Sequence, residues 1–232
     1  MTSEAPKLTE PWIEKHKAEY AYGYESGKLF SQTGGKGLPH AVLVDPQGIV
    51  VWTGHPGSLT PEIIRPALAG ALKTPVYEWP ENAAKVRKAF LKGKLAQARE
   101  EAEALGESGA MVQGAIKTVI ANRLAALKAA HEAKDWLTVS KRGERLADQF
   151  DGLPEAAEVS TYLESLKDGE NKKVLKAQEK IEKIFAERIK KRDIPKLKKD
   201  LQKIAEDFPD TAAARDAESG LEELDRLLQE KD

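Results

Sequence analysis

A short apolar segment set between two turn signals constrains the fold of this chain more than any other feature. Residues 41–44 (Ala-Val-Leu-Val) form a continuous apolar run after Gly-Leu-Pro-His at 37–40, which predicts a buried strand. Residues 45–48 (Asp-Pro-Gln-Gly) predict a turn, because proline suits its second position and glycine its last. Residues 49–52 then predict the return strand, so the sequence indicates a β-hairpin.

Helical signals surround this hairpin. Residues 9–20 predict a helix, residues 21–24 could form a short strand, and residues 28–33 predict a second, shorter helix. Residues 60–72 predict a third helix, because threonine caps a helix well and the proline that follows suits its first position. The predicted order is helix, strand, helix, hairpin, helix.

The composition changes after the first third of the chain, and this change predicts two domains. Turn residues and most aromatic residues lie in residues 1–75, whereas residues 82–232 are rich in Ala, Leu, Glu and Lys at helical spacing. Pro75 and Pro80 bracket a segment that is poorly suited to continue a helix, so residues 76–81 are predicted to be a linker. We expect the chain to be helix-dominated overall.

Three segments of the first domain carry a resemblance to a known family. They are residues 37–39 (Gly-Leu-Pro), 44–52 (Val-Asp-Pro-Gln-Gly-Ile-Val-Val-Trp) and 55–57 (His-Pro-Gly). Together, residues 28–72 resemble the C-terminal half of the thioredoxin fold and, more narrowly, of the secreted TlpA-like thiol-disulfide oxidoreductases. The fold class that this resemblance implies is a partial, α/β thioredoxin-like domain, followed here by an all-α domain of helical hairpins.

The resemblance also implies a substrate-side loop formed by Leu38, Pro39 and His40. In the family this proline is cis and faces a Cys-x-x-Cys pair, and the backbone of the preceding residue is free to pair with a substrate strand. His40 would lie beside those thiols, where it could tune a thiolate. The alternative is an ordinary trans proline that enters a strand.

The absence of cysteine conflicts with the chemistry of that family. The resemblance places the first strand, the Cys-x-x-Cys helix and the second strand before this segment, so we expect a C-terminal fragment of a longer parent. The fragment is predicted to be redox-inactive, with no catalytic residue, cofactor or metal of its own. The parent would act on protein thiols or disulfides in the periplasm or another extracytoplasmic space, although residues 1–6 do not resemble a signal peptide.

A fragment of this kind predicts an open sheet edge. Residues 41–44 would lie inside a complete sheet, and without the first two strands their N–H and C=O groups lack partners. We expect a second copy of the chain, the helical domain or another neighbouring molecule to occupy that edge. The first of these arrangements is a homodimer.

The helical half contains an internal repeat. Residues 134–166 align without gaps with residues 192–224, and a weaker copy begins near residue 92. Each copy predicts a helix that ends at phenylalanine, a proline-containing turn and a further helix. Residues 204–211 resemble the end of tetratricopeptide-like units, so this domain is predicted to be a helical repeat that binds a partner protein. A plain helical bundle is the alternative.

Charge and histidine spacing argue against other classes of function. The formal net charge of −1 gives no basic excess for nucleic acid, and no apolar run approaches the roughly 20 residues of a membrane span. The four histidines lack metal-ligand spacing. Two hypotheses remain: a fragment of a thiol-disulfide oxidoreductase and, as the alternative, a non-enzymatic scaffold that binds protein through its helical repeats.

Overall fold

The computed structural model describes residues 6–17, 30, 33–35, 37–186 and 189–229. Within those residues the chain is helix-dominated, as predicted, with ten α-helices and one antiparallel sheet of two strands. The chain divides into two compact units, Met1–Ala71 and Leu72–Asp232, shortly before the predicted domain end at residue 75.

The first unit consists of short elements. They are α1 (Pro6–His16), β1 (Ala41–Val44), β2 (Val50–Gly54), a 3-10 turn (Pro56–Ser58) and α2 (Pro61–Ala67). Both helices end before their predicted limits, and α1 is followed by Lys17 in the left-handed region at φ 48°. The strand predicted at 21–24 lies outside the described residues, and so does most of the helix predicted at 28–33.

The hairpin predicted from the sequence is present. β1 and β2 pair antiparallel, with Ala41 opposite Gly54 and Leu43 opposite Trp52, and one irregularity before Val44. The Asp45 carboxylate accepts the backbone N–H groups of residues 47 and 49, both at 2.9 Å, and so holds the turn closed. Side-chain acceptors of this kind explain why aspartate begins such turns.

The prediction that β1 is buried is wrong. None of its residues is buried, and the exposed fractions are 51% at Val44, 49% at Val50 and 47% at Val51. Val50 and Val51 point to opposite faces, because successive strand residues alternate, so both faces of the hairpin carry exposed apolar side chains. The physical reason is that two strands, the whole of the sheet in the described residues, cannot cover their own faces.

Eight α-helices of the second unit follow one another with short connections. They are α3 (Ala84–Leu91), α4 (Leu95–Glu103), α5 (Ala110–Glu132), α6 (Trp136–Gln149), α7 (Ala156–Ser165), α8 (Gly169–Ala186), α9 (Ile194–Asp207) and α10 (Ala212–Gln229). Each helix from α4 to α7 packs against its predecessor, while α8 packs against both α6 and α10. Some of these contacts join consecutive helices and others join helices further apart in the sequence. Together they produce one continuous apolar core.

The repeat found in the sequence is visible in the helices. α6 and α9 have the same length, and both of their ends are shifted by 58 residues, from 136 to 194 and from 149 to 207. Matching apolar residues are buried in both copies: Trp136 and Ile194, Leu146 and Ile204, and Val159 and Ala217. The same periodic apolar positions are therefore buried in both copies.

The segment predicted to be a linker, residues 76–81, lies inside the second unit. Trp79 is only 2% exposed, and its ring centroid lies 5.2 Å from that of Phe90. The prolines on either side do prevent a long helix, but the buried indole anchors the segment to the helical core. Proline spacing reports local conformation and says nothing about where a tryptophan packs.

Two glycines at the start of α5 give a matched test of this packing. A Cβ at Gly109 would overlap the Ala102 carbonyl oxygen and lie 2.8 Å from Leu105 Cβ, whereas a Cβ at Gly114 would meet nothing within 4 Å. Gly109→Ala should therefore lower the free energy of unfolding by about 1–3 kcal/mol through overpacking. Gly114→Ala should raise it by about 0.5–1 kcal/mol through helix propensity. Urea unfolding of both variants checks this, and equal effects would contradict it.

Candidate functional site

The loop that carries the predicted site residues is open to solvent. Leu38 is 86% exposed, Pro39 is exposed and His40 is half-buried at the start of β1. The Leu38–Pro39 peptide bond is cis, as the resemblance predicted. Leu38 and Pro39 therefore present an accessible stretch of backbone immediately before the hairpin.

His40 is held by a neighbouring hydroxyl. Thr33 Oγ1 donates to the Phe30 carbonyl oxygen at 3.1 Å and lies 3.2 Å from His40 Nε2. The Thr33 hydroxyl is therefore within hydrogen-bond distance of the imidazole. The Phe30 ring packs edge-on against the imidazole with centroids 5.5 Å apart. The ring of His40 thus has a defined orientation.

The other histidines have structural contacts. His55 Nδ1 accepts the Gly57 N–H at 3.0 Å and caps the 3-10 turn after β2. His16 stacks on Trp12, and His131 packs against Trp136. Among the residues that the structure describes, no group of three or more His, Asp or Glu is placed to hold a metal ion.

A buried polar network in the helical unit was missed by the sequence analysis. Gln178 on α8 is 1% exposed; its Oε1 accepts the Leu137 N–H at 3.0 Å, and its Nε2 donates to Asp135 Oδ1 at 2.9 Å. The same Asp135 oxygen accepts the Thr138 N–H at 3.1 Å and caps α6. One glutamine therefore fixes the N-terminus of α6 on the middle of α8.

Asp216 on α10 lies next to this network. Partial desolvation raises the pKa of Asp216 above its ordinary value, and the nearby Asp135 carboxylate adds to this rise. A hydrogen bond with Gln178 and the charge of Arg215 act in the opposite direction. Asp216 is nevertheless an exposed residue, so desolvation disfavours its ionised form only weakly.

A groove opens beside Asp216. It has a volume of about 390 Å³ and runs between residues 178–185 of α8 and 216–223 of α10, with Leu137 at one end. Its lining combines the apolar side chains of Ile181 and Phe185 with three acids. A concave, partly apolar surface with few polar groups is the usual form of a binding site.

One signal in the sequence could have revealed this site. If the offset of 58 residues is extended back to α8, Gln178 is paired with Ile120 and Glu182 with Leu124. Polar residues at positions that are apolar in the matching copy mark a place where the second copy departs from simple packing. The alignment in the sequence analysis covered residues 192–224 and did not extend back to α8.

Comparisons with known proteins do not identify a relative. No family model matches the chain, and searches of curated proteins and of solved structures found no significant match. In the described residues, no helix is both long enough and apolar enough to cross a bilayer.

The Gln178 network predicts a specific loss of stability. Gln178→Leu keeps the volume of the side chain but leaves the part-buried Leu137 N–H without its side-chain acceptor. The free energy of unfolding should fall by about 1–3 kcal/mol, the usual cost of an unsatisfied buried polar group. Chemical denaturation measures this, with Gln202→Leu on the exposed surface of α9 as the control. Equal stability of the two variants would show that the network contributes nothing.

Asp216 predicts a dependence of stability on pH. Its folded-state pKa is raised, so between the unfolded and folded values the native state binds more protons and stability falls as the pH rises. The melting temperature of Asp216→Asn should therefore exceed that of the wild-type chain at pH 7. The difference between the two melting temperatures should vanish below about pH 3, where the carboxyl is protonated in both the folded and the unfolded state. Glu218→Gln, which removes an exposed charge from the same helix, is the control. A melting difference independent of pH would contradict the assignment.

Proposed function

We propose that this chain is the C-terminal part of a thioredoxin-like thiol-disulfide oxidoreductase with an appended helical unit for binding protein. The single observation that carries the proposal is the hairpin behind the loop of Leu38, Pro39 and His40, which the contact with α2 leaves only partly covered. The chain has no cysteine, so it cannot itself exchange thiols and disulfides, and the proposed redox function belongs to the complete domain.

This partly covered hairpin supports the proposal because it leaves apolar side chains in contact with water. In the described part of the first unit, Ala67 is the most buried apolar residue, at 9% exposure, while Val44, Val50 and Val51 are about half exposed. A lone hairpin is marginal in water, and further strands on its edge and a helix on each face would remove this apolar surface from solvent. A complete thioredoxin-like sheet supplies such a cover.

The exposed loop suits the proposed role in substrate binding. Pro39 has no N–H, so the accessible backbone groups for a substrate strand are those of Leu38, which is 86% exposed. In the complete domain a cysteine thiolate would attack the substrate disulfide, form a mixed disulfide and release one substrate thiolate. Such chemistry fits an oxidising, extracytoplasmic compartment.

The proposal is tested with the reading frame that precedes the Met1 codon. We expect a Cys-x-x-Cys motif within about one domain half upstream, on the order of 70 codons. The chain extended to include it should reduce insulin disulfides with a reductant present, whereas the chain printed here should not. A variant of the extended chain with Pro39→Thr should lose most of this activity. Its helical unit, monitored by far-ultraviolet circular dichroism, should be unchanged.

Two results would overturn this proposal. One is an extended chain without the motif, or one that carries it and is inert towards disulfides. The other is a stable dimer of the present chain that Val44→Lys dissociates and Leu91→Lys, at a 71% exposed position on α3, does not. A second copy, rather than missing strands, would then cover the hairpin.

A non-enzymatic scaffold is the second candidate function, and the repeated helices favour it. The match between α6 and α9 at both ends supports a repeated helical unit, and repeat arrays offer extended surfaces to partner proteins. An inert extended chain that still binds a defined partner through residues 82–232 would select this candidate over the first.

A further inference from the structure

The groove between α8 and α10 has walls that suit a helix. Each wall supplies residues at i, i+3, i+4 and i+7, which is one face of a helix over two turns. Ile181 and Phe185 form its apolar floor on α8, and Gly220 on α10 allows the Phe185 ring to approach closely, because a Cβ there would lie 2.8 Å from Phe185 Cε2. A partner ridge of apolar side chains could lie along this floor.

Among the residues that the structure describes, the charged side chains that line the groove are all acidic. They are Glu182, Asp216 and Glu223, and no described lysine or arginine lines it. Glu182 pairs with Lys141 and Glu223 with Arg226, both outside the lining. Asp216 takes part in no ion pair with any described residue. Its partly desolvated carboxylate would gain most from an external cation.

The matching positions of the earlier repeat are apolar. Ile120 and Leu124 on α5 stand where Gln178 and Glu182 stand on α8, and Ile120 is 2% exposed. Gln178 has a structural role, because it accepts the Leu137 N–H. Glu182 is exposed, and this acid adds a negative charge to the groove that the earlier copy lacks at the matching position.

We propose that this groove binds an amphipathic helical segment of a partner protein, with lysine or arginine facing Asp216 and Glu223 and apolar side chains on Phe185. Asp216 and Glu223 are two turns apart on α10, about 10 Å along the axis, so basic residues seven positions apart in the segment would meet both. The inference deepens the scaffold role proposed for the helical unit and rests on that role alone, without the redox proposal.

Fluorescence anisotropy with designed peptides tests the groove. The probe is a fluorescein-labelled peptide of about 18 residues, long enough to become helical on binding, with a row of leucines and two lysines seven positions apart. A second peptide has glutamate in place of both lysines, and a third has serine in place of the leucines. The full chain should bind the first peptide and bind both others at least about tenfold more weakly, since each lacks one half of the recognition.

Groove variants locate the binding. Asp216→Asn and Phe185→Leu should each weaken the first peptide about tenfold, the loss expected of a central contact in an interface. Glu218→Gln and Glu222→Gln remove the same charge from exposed positions of α10 outside the groove and should bind like the wild-type chain. Because Asp216→Asn is expected to be more stable at neutral pH, unfolding cannot explain its loss of affinity.

Three outcomes of these binding measurements would overturn the groove proposal. They are no binding of the basic peptide, equal losses in the groove variants and the exposed controls, and tighter binding of the glutamate peptide. Amide chemical shifts of the peptide-bound chain distinguish the groove proposal from the broader scaffold proposal. Perturbations confined to other faces of residues 82–232 would refute the groove and leave the scaffold role standing. If no peptide or partner perturbs the helical unit at all, both fail.

Discussion

Burial of the apolar faces of short helices against their neighbours is the constraint on which the second unit depends. α3 and α4 are of two to three turns, too short to persist alone in water. Leu95, Ala98 and Ala102 on α4 are fully buried only because α3 and α5 lie against them. The same requirement repeats in α6 and α9, whose apolar residues recur at the same spacing. Each of these helices is stable because the helices packed against it cover its apolar face.

This constraint explains what could be read from the sequence. The repeat at an offset of 58 and the hairpin are local patterns of apolar and turn residues, and both appear in the structure with nearly the predicted limits. The predictions that were wrong depend on contacts between residues that are far apart in the sequence. The apolar run at 41–44 indicates that burial is favourable, but burial also needs a covering layer, which its own residues do not encode. The prediction of a linker at residues 76–81 has the same weakness, because Trp79 packs against Phe90 of α3.

Gln178 shows a second limit of pattern reading. On a helical wheel it lies on the apolar face of α8, between Val174 and Ile181, and would be taken for an error in the pattern. The structure shows that its amide satisfies the N-terminus of another helix, 41 residues earlier in the chain. Only the three-dimensional arrangement joins an orphan N–H at a helix start to a side chain in the middle of a different helix.

The two copies of the repeat therefore differ in how they use one framework. In the first, apolar Ile120 and Leu124 occupy two positions on one helix; in the second, Gln178 and Glu182 bring polar groups to the matching positions. A buried amide that is fully hydrogen-bonded costs little, whereas an acid such as Asp216, with its pKa raised by desolvation, reduces stability at neutral pH. Asp216 is exposed, and the first copy also has an acid at the matching position, Glu158, so both copies keep a carboxylate here. Keeping the acid makes sense where a cation from another molecule restores what desolvation removes.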